Sequence, residues 1–235
     1  KKLSLMKLKI CGMKYPHNTE AVAQLQPDFM GFIFYKKSPR LLIEAIPKIS
    51  KSIYKVGVFV DADIDFIIDK VNQQKLDMIQ LHGNESPQFC AQLKSKCQLE
   101  KEFWKQTINE AIKEKQDINP YRNIKIIKAF CVDNTFNFNA LNPFEKLVDY
   151  FLFDTKGRLP GGNGSVFDWD ILLNYKLTKP YFLSGGIGLK QVKQLKQFKK
   201  TAISKYCFAL DVNSKFEIEP GRKNIEKLKK FKSLI

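Results

Sequence analysis

Eight short apolar runs, each rich in β-branched or aromatic residues and separated by polar or helix-periodic stretches, limit what this chain can fold into more than any other feature. They lie at Lys7–Cys11, Phe29–Phe34, Lys55–Val60, Asp77–Leu81, Ile124–Phe130, Tyr150–Asp154, Tyr181–Ser184 and Cys207–Asp211. Between them, Ile64, Ile67, Ile68 and Val71 repeat at i, i+3, i+4 and i+7, one face of a helix. Ser86-Pro87 supplies an N-cap and a first-turn proline ahead of Phe89, Cys90 and Leu93, and Ile225, Leu228 and Phe231 mark a last helix with its lysines outward. Consecutive parallel strands need a crossover, usually a helix, so strands alternating with helices predict a parallel sheet in the α/β class. Eight such units in 235 residues suit a (β/α)8 TIM barrel better than an open doubly wound sheet. Residues 94–123 are too long for a loop; Ile108, Ala111, Ile112 and Lys115 predict an added helix there, an insertion within a single domain spanning 1–235.

Composition then excludes several functions. The net charge of +16 suggests a nucleic-acid binder, but the basic residues are scattered along the chain. Lys190, Lys193, Lys196 and Lys200 face away from Leu189, Val192 and Leu195, as on a solvated helix, so no nucleic-acid partner is expected, although the charge can steer an anionic substrate. No run approaches the roughly 18 apolar residues of a membrane span, and no signal-peptide core follows the Lys-rich start. Cys11, Cys90, Cys97, Cys131 and Cys207 show no CxxC or metal spacing, so a reducing cytoplasm is the expected compartment. With His17 and His82 the only histidines and no HExxH, no metal site is expected; P-loop, GxGxxG and GxSxG patterns are also missing.

A barrel of this kind delivers every strand end to one mouth, where the active site lies. The polar residues at those ends are Cys11, Ser38 to Arg40, Gln80, His82, Asp154, Ser184 to Gly186, and Asp211. Cys11, followed at once by Gly12, is either a small buried hydrophobe or a reactive thiol; Cys90 and Cys97 share a helix face with Leu93 and read as core. Asp154 follows Phe151-Leu152-Phe153, so its carboxyl lies where an apolar strand opens into a polar loop, suited either to proton delivery or to loop capping. Gly161-Gly162-Asn163-Gly164 and Ser184-Gly185-Gly186 can bring backbone N–H groups to an anion, and two such loops at successive strand ends favour a phosphorylated ligand over tight turns. Arg40, one of four arginines in a Lys-rich chain, is suited either to a two-point grip on a carboxylate or to a surface role.

Taken in order, these segments resemble the phosphoribosylanthranilate isomerases of tryptophan biosynthesis. The resemblance rests on Lys9-Ile10-Cys11-Gly12, Gly31-Phe32-Ile33-Phe34 running on to Ser38-Pro39-Arg40, Val56-Gly57-Val58-Phe59-Val60 and Gln80-Leu81-His82-Gly83-Asn84-Glu85. It continues through Phe153-Asp154-Thr155, Gly161 to Gly164 with Phe167-Asp168-Trp169, Leu183-Ser184-Gly185-Gly186, Asp211-Val212 and Pro220-Gly221, and so covers about Lys7 to Phe231. It implies a TIM barrel that converts N-(5-phosphoribosyl)anthranilate to 1-(2-carboxyphenylamino)-1-deoxyribulose 5-phosphate by an Amadori rearrangement, without metal or organic cofactor. It also implies Asp154 as general acid, Cys11 as general base, and Arg40 on the anthranilate carboxylate. Asp211 would orient the sugar hydroxyls, His82 would lie near the substrate, and Gly162, Gly185, Gly186, Asn213 and Ser214 would hold the phosphate. A monomer and a homodimer are both compatible with it.

Three departures stand out. Where the family reads Asp-Val-Ser-Ser-Gly-Val-Glu, this chain has Asp211-Val212-Asn213-Ser214-Lys215-Phe216-Glu217, which replaces a glycine by a lysine able to reach phosphate. Ser165-Val166 replaces the usual Lys-Thr, and the 94–123 stretch is long. Neighbouring phosphosugar barrels would be expected to use a Lys and Glu pair or two Asp residues, which Cys11 with Asp154 does not match. A catalytically idle barrel binding RNA would be recognised by a steep salt dependence.

Overall fold

The computed structural model describes residues 6–111, 123–155 and 168–235, with backbone alone over 103–111. Eight parallel strands close into a barrel in chain order. They are β1 (Lys7–Met13), β2 (Phe29–Ile33), β3 (Tyr54–Phe59), β4 (Met78–Leu81), β5 (Lys125–Val132), β6 (Tyr150–Thr155), β7 (Tyr181–Leu183) and β8 (Cys207–Val212). Closure comes from β1, which pairs with β2 on one side and β8 on the other and sets Lys9 opposite Asp211. The expected (β/α)8 barrel is the observed fold, with every strand within two residues of its predicted ends.

The helices are α1 (Pro16–Ala23), α2 (Ile64–Gln74), α3 (Pro87–Ala111), α4 (Val192–Phe198) and α5 (Ile225–Lys232). α2 starts where the Asp63 side chain accepts from the Phe66 N–H at 2.7 Å, buries Ile67, Ile68 and Val71, and stops at left-handed Lys75. The predicted cap of α3 is formed, the Phe89 N–H donating to Ser86 Oγ at 3.1 Å. The separate helix expected within 94–123 takes a different form: α3 runs unbroken to Ala111, because no Gly or Pro after Pro87 interrupts it. Residues 112–122 of that stretch lie outside the described residues.

Helices do not follow every strand. Among the described residues, the connection after β2 carries no α-helix, and those after β5 and β6 carry the short 3-10 segments Phe138–Phe144 and Trp169–Asn174. Proline accounts for the first two cases, with Pro39 and Pro47 in one connection and Pro143 inside the other, each removing a backbone donor.

Two apolar clusters hold the layers together. The larger fills the space between strands and helices; α5 contributes the fully buried Leu228 and Phe231 to it. The smaller fills the barrel interior with Phe29, Val56, Met78, Ile127, Ala129, Leu152, Phe182 and Ala209, drawn from β2 through β8. β1 is the exception, since its alternate residues at that level are Lys9 and Cys11. After β8 the chain forms a small antiparallel ribbon of β9 (Glu217–Glu219) and β10 (Arg222–Lys223). Among the described residues no helix is long and apolar enough to cross a membrane.

Candidate active site

Side chains alternate along a strand, so Lys9 and Cys11 of β1 share one face and point inward. Cys11 is buried at 4% exposure. Gly31 on neighbouring β2 makes room for it: a Cβ there would lie 2.6 Å from the Cys11 sulfur. Burial pushes the thiol above its ordinary value, while Lys9, and more weakly Lys223, pull it down and Asp211 adds to the rise. Lys9 is fully buried and donates from Nζ to Asp211 Oδ1 at 2.9 Å, across the seam that closes the barrel. Burial disfavours its charge, but Asp211 and Cys11 outweigh that and hold it protonated. Asp211 is raised from its ordinary value, chiefly by burial, with Lys9 opposing and Asp154 reinforcing the shift.

Across the mouth, Asp154 on β6 is buried, and its Oδ1 accepts from the Thr155 N–H at 3.0 Å. His82, just past β4, brings Nε2 to 3.3 Å from Asp154 Oδ2, and its Nδ1 lies 2.7 Å from the Gln80 amide nitrogen. With that amide as donor, Nδ1 accepts and the ring proton is on Nε2, facing the carboxylate. The 3.3 Å approach is an ion-pair contact rather than a hydrogen bond, and His82 Nε2 and Gln80 Oε1 are both buried polar atoms without a hydrogen-bond partner. The His82 loop is fastened from below by a buried ion pair. Lys128 Nζ donates to Glu85 Oε2 at 3.0 Å and to the Gly83 carbonyl at 2.8 Å, and Glu85 accepts from the Asp61 and Gly83 N–H groups.

On the β1 side, Arg40 grips Glu217 in a bidentate pair, Nε donating to Oε1 at 2.8 Å and more weakly to Oε2 at 3.1 Å, and Nη2 to Oε2 at 2.7 Å. Lys223, fully buried on β10, donates to Glu217 Oε1 at 2.8 Å and to Asn213 Oδ1 at 2.6 Å. For Glu217, burial works against the charge, yet Arg40 and Lys223 more than offset it and hold the carboxylate below its ordinary range. The guanidinium expected to meet a ligand carboxylate is thus already half engaged by a side chain of the β9–β10 ribbon.

Beside Asp154 and Asp211 opens a shallow cleft lined by Ser184, Gly185, Gly186, Ile187, Asn213, Ser214 and Lys215. Gly185 has φ +88°, and a Cβ there would strike Thr155 at the end of β6, so this turn requires glycine. The structure therefore brings Asp154, Asp211, Gly185, Gly186, Asn213 and Ser214 into one cleft. Cys11, Arg40 and His82 stand around it rather than lining it, and Gly162 lies outside the described residues. Among the described residues, no group of three or more His, Cys, Asp or Glu side chains could hold a metal ion.

Sequence reasoning passed over Lys9, Glu217 and Lys223 as functional groups. For Lys9 a signal existed: two residues before Cys11 on the same strand, it had to share the inward face of an otherwise apolar interior. Glu217 matches the Glu that ends the family's pattern after strand eight, a signal left unused, and Lys223 gave none, because it reaches the site only through the ribbon after β8.

A closed parallel barrel that brings a thiol and a carboxyl to one mouth, beside a glycine-lined cleft, defines an enzyme of the (β/α)8 class working by proton transfer. Comparison with known proteins narrows the class. The family model for N-(5'phosphoribosyl)anthranilate (PRA) isomerase matches residues 8–121 and 108–233, and the chain belongs to that family. It is 38% identical to an N-(5'-phosphoribosyl)anthranilate isomerase of Parabacteroides distasonis, over 96% of this chain and 91% of that protein. Among solved structures, the phosphoribosyl anthranilate isomerase of Thermus thermophilus superposes with a TM-score of 0.69 at 21% identity, covering 98% of this chain and all of that one. The Thermotoga maritima enzyme gives 0.67 at 25% identity, covering 97% and 98%.

Proposed function

We propose that this chain catalyses the isomerisation of N-(5-phosphoribosyl)anthranilate to 1-(2-carboxyphenylamino)-1-deoxyribulose 5-phosphate in tryptophan biosynthesis, with Asp154 as general acid and Cys11 as general base. The observation that carries the assignment of roles is that the two groups end different strands, both buried at one mouth, with Asp211 electrostatically coupled to each. Asp154 protonates the furanose ring oxygen, the C1–O bond breaks, and the anilino nitrogen supplies the electron pair that makes a protonated Schiff base. The Cys11 thiolate then removes the C2 proton, and the electrons flow into the iminium to give an enolamine. Loss of the C2 hydroxyl proton with protonation of C1 completes the ketone.

The remaining residues hold the substrate. The cleft with Gly185, Gly186, Asn213 and Ser214 accepts the phosphate, with Lys215 adding a charge contact; Gly162 is assigned to the phosphate on the family resemblance alone. Arg40 takes the anthranilate carboxylate with the guanidinium edge that Glu217 leaves open, and Glu217 fixes the plane of that edge. Asp211 orients the sugar hydroxyls, and the unpaired Gln80 Oε1 and His82 Nε2 are satisfied by the substrate. No cofactor enters the scheme, and the expected compartment is the cytoplasm, as for a small-molecule biosynthetic enzyme.

The deciding experiment follows the loss of anthranilate-type fluorescence on adding freshly generated substrate. Removing a general acid or base costs about 10²–10⁴-fold, so Cys11→Ala and Asp154→Ala should each lose that much turnover while keeping the fold and product binding. Activity within a few fold of wild type in either variant would remove that residue from its role.

A further inference from the structure

We infer that Lys9 is a positioning residue for the reaction: its buried ammonium, pinned by Asp211 on the adjoining strand, is the counter-charge that supports Cys11 as a thiolate. The inference rests on the reading of Cys11 as the base. A thiol at 4% exposure has little water to stabilise its charged form, so the protein must supply that stabilisation itself. Lys9 is placed to do so. It is two residues from Cys11 on the same inward face, fully buried, and held to Asp211 at 2.9 Å.

The charges around Cys11 count the same way. Lys9 comes from its own strand, Arg40 from the loop after β2, Asp211 from β8, and Glu217 and Lys223 from the ribbon. Lys9 pairs with Asp211, Arg40 pairs with Glu217, and Lys223 also leans on Glu217. With Asp154 protonated as the proposed acid, three cations face two carboxylates, burial favouring the neutral form of Lys223, so a thiolate formed at Cys11 meets positive charge. Asp154 and His82 complete the ionisable ring on the far side, coupled to Cys11 through Asp211. Burial favours the neutral thiol at rest, so the counter-charge of Lys9 acts when the thiolate forms. The apolar plug contributed by the other seven strands makes the lysine's position meaningful, because a side chain needed for packing alone would be apolar there.

The decisive test titrates the Cys11 thiolate by its ultraviolet absorbance in substrate-free protein, taken as the difference from the same background carrying Cys11→Ser. Lys9→Met should move the Cys11 midpoint upward by at least one pH unit, and Lys9→Arg should leave it near wild type. Asp211→Asn should move it downward, and the double variant Lys9→Met/Asp211→Asn should return it toward wild type because the net charge is restored. In turnover, Lys9→Met should lower kcat tenfold or more at neutral pH, with the loss shrinking as pH rises and KM little changed.

A Lys9→Met midpoint equal to wild type, or a turnover loss of the same factor at every pH, would reduce Lys9 to a structural role and overturn the inference. Should Lys9→Met not fold, the double variant and Lys9→Arg carry the decision: a double-variant midpoint more than one unit above wild type refutes charge compensation. Failure of the base assignment looks different. Cys11→Ser would then keep its turnover, while the thiolate titration still reports whether Lys9 sets it.

Discussion

Substituting Glu85 by Gln should destabilise the barrel far more than a single isosteric change normally does. The Glu85 and Lys128 side chains are 2% and 3% exposed, and their charged atoms are 3.0 Å apart. Gln keeps the shape, and its amide oxygen at the Oε1 position can still accept from the Asp61 and Gly83 N–H groups, so the change removes the charge and the Oε2 acceptor that faces Lys128. Lys128 is then left with two neutral carbonyls, those of Gly83 and Ala129. At 3.0 Å and an effective dielectric constant of about 20, the lost attraction is about 5.5 kcal/mol before the remaining carbonyls offset part of it. Breaking buried pairs by removing one partner typically costs about 3–5 kcal/mol, in agreement. For a chain of this size each kcal/mol lowers Tm by about 2–4 °C, so the expected drop is about 6–20 °C. Urea and thermal unfolding followed by circular dichroism measure it. Glu85→Gln/Lys128→Met should recover much of the loss, because it leaves no buried charge unpaired. A loss under about 1 kcal/mol in Glu85→Gln, or a double variant as unstable as the two singles added, would refute the reasoning.

Further expectations concern the site and its pH behaviour. Gly31→Ala should impair turnover more than stability, since the new methyl meets the Cys11 sulfur at 2.6 Å and forces it aside; unchanged kcat in a folded variant would show that the close approach is harmless. Lys215→Gly, which restores the residue usual in the family, should raise KM and weaken inhibition by inorganic phosphate several-fold while kcat holds; equal phosphate inhibition in both proteins would take Lys215 out of the cleft's chemistry. Glu217 is held below its ordinary 4.5, so its contribution to stability is present above that value and is lost as pH falls through the lower folded value. Asp211, raised by burial, contributes with the opposite sign and partly offsets the effect. Acid unfolding of Glu217→Gln should therefore depend less steeply on pH below about 4.5 than that of wild type, and parallel curves would contradict the linkage.

Much of this protein was legible in its residues because the relevant signals are local. Short apolar runs rich in β-branched and aromatic residues marked all eight strands, the i, i+3, i+4 spacing marked the buried face of α2, and Ser86-Pro87 marked the start of α3. The mouth residues followed once a parallel barrel was assumed, since strand direction carries every C-terminal end to one side. What misled the reading was also local: Ile108 and Ala111 looked like a separate helix, and only the lack of a breaker after Pro87 made them a continuation of α3.

The tertiary structure decided which charges meet. Lys9 and Asp211 are 202 residues apart in sequence, yet barrel closure makes them register partners. Arg40 and Glu217 are 177 apart and become a bidentate pair because the ribbon after β8 folds back over the β1 and β2 ends. No periodicity encodes such pairings, because they depend on how the sheet closes rather than on the chain's neighbours. The sequence by itself determined the barrel and set the proposed acid and base at its strand ends; closure of the sheet decided the electrostatic setting of the buried thiol, since burial raises the cost of charge and the partner that pins Lys9 comes from a distant strand.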